Sequence, residues 1–146
     1  MKCLTVYRRC HKINSCGGAQ SCDHMKQLTS VDMLTSKRFQ FEDYSDTLEF
    51  YYEQGWTDGL PVVPATADNV NKFLSYARRS PSEIIGTEPT KGKVITAEKV
   101  AINSIMAGCR PEYFPVVLSG IEAICEPQFD LHAVSVSTMG PAVLTV

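Results

Sequence analysis

The residues best equipped for chemistry sit in one short segment, Met106-Ala107-Gly108-Cys109-Arg110-Pro111-Glu112-Tyr113. It interrupts two apolar-patterned runs, so it reads as a sharp corner between helices. Cys109 falls just before the second helix and beside Arg110. Unpaired N–H groups at a helix start and a neighbouring cation both favour a thiolate. A thiolate in that place is a nucleophile or a ligand for a soft metal. The plainer alternative is a small, readily buried residue filling a tight corner. Cys125 lies on the apolar stripe of the following helix and reads as core.

Two carboxylates qualify as acid partners. Glu112 belongs to the same corner. Asp58 lies in Trp56-Thr57-Asp58-Gly59-Leu60-Pro61, a run dense in loop-shaping residues. Asp58 either caps this turn with its side chain or acts as a general acid or base. His132 stands on an alternating, strand-like run among valines, where a lone histidine is more often a core residue than a ligand. Lys91-Gly92-Lys93 lacks the upstream glycine and the following Ser or Thr of a phosphate loop. Cys10, His11, Cys16, Cys22 and His24 have the side chains zinc uses, but no tight CxxC pair joins them. We assign no metal ligands.

These residues need elements to position them. Ser45 reads as an N-cap, with Leu48, Tyr51 and Tyr52 on one face and Gly55 as a stop. Leu60 to Val63, between two prolines, is an edge strand or an extended loop. The clearest helices are three. Over 66–79, Thr66 is the cap and Val70, Phe73, Leu74 and Ala77 form one face. The second spans 96–107. The third spans 112–126, with Pro115 confined to the first turn and Phe114, Val117, Leu118, Ile121, Ile124 and Cys125 as its stripe. Ser80-Pro81-Ser82-Glu83 is a capping box with Pro at N1, which predicts a helical turn through Ile85. Thr87 to Lys93 reads as a polar loop. Leu131 to Ser137 alternates like a strand, as does Ala142 to Val146.

Charge divides the chain. Residues 1–40 carry seven Lys or Arg against two Asp, whereas residues 41–146 carry seven against fourteen acidic residues. Residues 1–40 also lack apolar periodicity, so we expect them to be disordered or a non-native extension, followed by one α/β domain from residue 41. Because the final run is apolar and strand-like, with no polar tail, we expect the domain to continue beyond residue 146. A net charge of -2 does not suggest nucleic acid or an anionic membrane as partner. No apolar run approaches a membrane span and the start is not a signal peptide, so a cytoplasmic location with reduced thiols is expected. Nothing names a cofactor.

Three strings resemble an uncharacterised bacterial family associated with UGSC-motif (seleno)proteins. They are Glu53 to Pro64 (EQGWTDGLPVVP), Lys99 to Val117 (KVAINSIMAGCRPEYFPVV) and Leu131 to Val134 (LHAV). Some members are described as organomercurial-lyase-like. The pattern of helices and strand-like runs itself predicts an α/β or α+β fold of three to four helices on a small mixed sheet, incomplete at the C-terminus. The resemblance implies a thiol-dependent, lyase-like enzyme acting on a small organic or organometallic substrate. Cys109, Asp58 and Glu112 then become the catalytic candidates, and Arg110, Trp56, Tyr113 and His132 the substrate-binding ones. The alternative is a non-catalytic subunit or scaffold that binds a UGSC-type (seleno)protein.

Overall fold

The computed structural model describes residues 5–7, 34–88 and 91–136. Strands β1 (Thr5–Tyr7) and β2 (Arg38–Gln40) pair in parallel. Helix α1 (Tyr44–Glu53) starts from Asp43, whose carboxylate accepts from the Tyr44 amide at 2.6 Å and the Ser45 hydroxyl at 2.7 Å. Ser45, expected to be the cap, instead lies inside the first turn. The nearby carboxylate is the stronger, charge-assisted acceptor. Helix α2 (Ala67–Ala77) begins as its sequence predicts: the Thr66 hydroxyl accepts from the Asn69 amide at 3.3 Å. Val70, Phe73 and Leu74 are buried on one face.

The capping box at Ser80 forms only in part. The Glu83 carboxylate accepts from the Ser80 amide at 3.2 Å, yet no helix follows. The chain enters strand β3 (Ile84–Glu88), which pairs antiparallel with β4 (Lys93–Thr96). The expected helical turn and polar loop are therefore largely a hairpin. The β-branched pairs Ile84-Ile85 and Val94-Ile95 favour the pleated ladder, and local capping loses to it. Ile84 stands opposite Thr96 but Gly86 opposite Ile95, so the strand bulges at Ile85. The bulge re-aims that side chain, and Ile85 is buried in the core.

Helix α3 (Ala97–Met106) follows directly. A short 3-10 turn, Pro111–Tyr113, then precedes α4 (Phe114–Cys125). The helix expected to start near Glu112 thus has a tighter first turn, which accommodates both Pro111 and Pro115 without asking either for an N–H. After another 3-10 turn, Pro127–Phe129, comes α5 (Leu131–Val136). The expected strand over Leu131 to Ser137 is corrected to helix here. Among the described residues no strand pairs with it, so its backbone bonds are made locally, beginning with the Val134 amide donating to the Asp130 carbonyl at 3.1 Å. Leu60 to Val63 is an extended loop rather than a strand. Its Val63 amide donates to the Met106 carbonyl at 3.2 Å.

The result is the mixed α/β fold expected, with one parallel and one antiparallel two-stranded ladder among the described residues. The core lies between α2, α3, α4 and the β3–β4 hairpin, and includes Phe73, Leu74, Ile85, Ile102, Phe114 and Leu118. Leu34 joins that core, so residues 34–40 pack with the domain although their composition groups them with the N-terminal stretch. The cysteines and histidines between Cys10 and His24, and the run Ala142 to Val146, lie outside the described residues. Among the described residues no helix is long and apolar enough to cross a membrane.

Gly86 marks where the hairpin meets α4. A Cβ built there would lie 2.6 Å from Cys125 Sγ and 2.7 Å from Cys125 Cβ. Gly86→Ala is therefore expected to lower stability by about 1–3 kcal/mol, the usual range for overpacking. A urea melt reads the change, and an unaltered midpoint would contradict this packing.

Candidate functional site

The corner that carries Cys109 is built by the end of α3. Ala107 is the C-cap and Gly108 takes the left-handed conformation, with φ +81°. The Gly108 amide donates to the Ile105 carbonyl at 2.8 Å and the Cys109 amide to the Ser104 carbonyl at 3.0 Å. This pair of bonds is a Schellman closure, which needs a residue without a Cβ penalty at Gly108 and fixes the next residue in space. The sequence contains that signal, since Gly108 directly precedes Cys109.

Cys109 is half-buried and lines a cavity of about 490 Å³. Strand β4 contributes Lys93, Val94 and Ile95; α3 contributes Lys99, Val100, Asn103 and Ser104; Ala107 closes the corner; α4 contributes Val117 and Ile121. Most of these side chains are apolar, and the volume falls in the range of small-molecule sites. Three of the polar lining groups bond to the backbone. Lys99 Nζ donates to the Val94 carbonyl at 3.2 Å, Asn103 Nδ2 to the Lys99 carbonyl at 2.7 Å and Ser104 Oγ to the Val100 carbonyl at 2.8 Å. Ser104 is buried, so its hydroxyl is spent within the helix.

The other candidates do not share this cavity. Asp58 and Glu112 are exposed and outside its lining. The turn expected to be capped by Asp58 is instead closed by Thr57, whose hydroxyl accepts from the Gly59 amide at 3.2 Å and donates to the Leu60 carbonyl at 2.7 Å. Trp56 packs against Phe50 and Tyr51, with ring centroids 5.7 and 5.5 Å away, and seals the end of α1. Arg110 and Tyr113 are exposed ends of the 3-10 turn, the Tyr113 amide donating to the Arg110 carbonyl at 3.0 Å. His132 is exposed on α5, not on a strand. Cys109 itself precedes that 3-10 turn, and α4 proper begins five residues later at Phe114.

Cys125, the second thiol of this region, sits against Gly86 rather than in the cavity. Burial pushes its thiol up, with the carboxylates of Glu88 and Glu126 adding to the shift, so it is the poorer nucleophile. Among the described residues, no three His, Cys, Asp or Glu side chains cluster as a metal site would require.

Sequence patterning alone missed Lys93, Val94, Ile95 and Lys99. The available signal was Ile84-Ile85 and Val94-Ile95 on either side of Lys91-Gly92, a hairpin pattern in a segment that reads as polar loop. No protein-family model, curated protein or solved structure matches the chain.

Proposed function

We propose that this chain is a thiol-dependent enzyme that takes a small organic molecule into the cavity between β4, α3 and α4, with Cys109 as its nucleophile. The observation that carries this reading is that Cys109 lines a largely apolar cavity of small-molecule size. The chemistry within reach is attack by the Cys109 sulfur on a soft electrophilic carbon of a bound substrate: the S–H proton passes to water, an S–C bond forms, and the carbon's bond to its leaving group breaks with the electron pair going to that group. An organometallic substrate is the narrower version, implied by the family resemblance. Its metal would form a bond to the Cys109 sulfur, and the departing carbon would take a proton from an acid as the carbon–metal bond breaks. Asp58 and Glu112 lie outside the cavity lining, so an organic electrophile fits these residues better.

A second reading, a non-catalytic subunit that binds a UGSC-type (seleno)protein, draws support from Tyr113 and Val116. These are exposed three residues apart, Tyr113 at the end of the 3-10 turn and Val116 in the first turn of α4.

Alkylation with a small reagent, read by mass spectrometry on folded protein, separates the two. Cys109 is expected to react about tenfold faster than Cys125, given its place in an accessible cavity and the raised pKa of Cys125. Cys109→Ser should remove the fast phase. A Cys109 that stays unmodified while the protein is folded leaves it as a packing residue and favours the second reading.

A further inference from the structure

We infer that the cavity is built for an amphipathic monoanion, a small molecule with an apolar body and one carboxylate-like head. This rests on the proposed function only in treating the cavity as a ligand site. Val100, Val117 and Ile121 give the apolar wall, and Lys93 and Lys99 are the charged residues in the lining. Lys99 Nζ is tethered to the Val94 carbonyl at 3.2 Å, which holds its ammonium at the β4–α3 junction, one residue along from Lys93. Among the described residues no Asp or Glu lines the cavity. Two lysines in the lining of an apolar recess, with no described carboxylate among its residues, disfavour a cationic ligand and offer a neutral one hydrogen bonds without charge attraction. An anion gains from both lysines, and an apolar tail gains from the wall. Glu88 lies opposite Lys93 across the hairpin, but its Oε2 accepts from the Lys91 amide at 2.8 Å and it stands outside the lining. It tempers the field at Lys93 without filling the recess.

Titration calorimetry on the full chain tests this with octanoate, octanamide and octylammonium, which share a tail and differ in the charge of the head. Octanoate should bind about fivefold more tightly than octanamide, in keeping with partly exposed ion pairs, and octylammonium should bind most weakly. The preference should shrink in 1 M salt, where screening acts over about 3 Å. Lys93→Met and Lys99→Met keep an apolar stem, and each should weaken octanoate by about two- to fivefold while leaving octanamide unchanged. Lys93→Met is the safer variant, because Lys99 also bonds the backbone. Equal binding of octanoate and octanamide, binding of neither, or full octanoate preference in both lysine variants would overturn the inference. The thiol reading falls separately: charge preference with an inert Cys109 removes the nucleophile and keeps the anion site, and the reverse result does the opposite.

Discussion

Phe114→Ala is expected to lower stability by about 3–5 kcal/mol, the range for truncating a buried aromatic ring. That is a large share of the roughly 5–15 kcal/mol that holds a typical domain together. Phe114 is fully buried and meets Phe73 edge-on at a centroid distance of 5.5 Å, so one ring joins α4 to α2. Little can collapse into the space, because Phe114 stands at the first residue of α4, between the 3-10 turn and the buried Leu118. Phe114→Leu should cost less, since it refills most of the volume. Urea melts read both variants. A loss below about 1 kcal/mol for the alanine variant would mean that α4 is not anchored at this point.

Glu98→Ala is expected to cost about 1.5–3 kcal/mol near neutral pH, because it removes the buried, charged acceptor of three part-buried hydrogen bonds. Only 1 % of Glu98 is exposed. Its Oε2 accepts from the Thr35 amide and hydroxyl, each at 3.0 Å, and its Oε1 from the Ser36 amide at 2.9 Å. Burial alone would raise its pKa; the hydrogen bonds from Ser36 and Thr35 outweigh that, and the carboxyl is held below the usual range. A group with a depressed folded pKa binds fewer protons folded than unfolded. Its contribution is therefore present above the ordinary glutamate pKa of about 4.3 and is lost as pH falls through the lower, folded value. The parent chain should lose stability across that acid window, and Glu98→Gln should lose less there. Equal acid sensitivity of parent and Glu98→Gln would rule out this role.

Both residues show how far the sequence reaches. The amphipathic stripe of α4 is legible because 3.6-residue periodicity is a local property of the chain, and Phe114 and Leu118 are buried as that stripe requires. Glu98 is legible only as an acidic residue in a helix first turn. That it is buried follows from residues 35 and 36, more than sixty positions away, closing over it. The same contrast runs through the site. Gly108 announces the corner that fixes Cys109, but the cavity beside it needs β4, and β4 exists only as the partner of β3.

By itself the sequence determined the mixed α/β class, the three central helices with the Thr66 cap, and the glycine-closed corner at Cys109. Each of these depends on contacts among residues close in the chain, where period, capping and backbone freedom act directly. Tertiary structure decided the rest. It turned Ile84–Glu88 into a strand and Leu131–Val136 into a helix, because a strand needs a partner and only the first segment has one among the described residues. It also left Asp58, Glu112, Trp56 and His132 outside the cavity and put Lys93 and Lys99 into the same cavity lining as Cys109. Which side chains share a cavity depends on how helices and hairpin pack, and packing is set by contacts between distant parts of the chain.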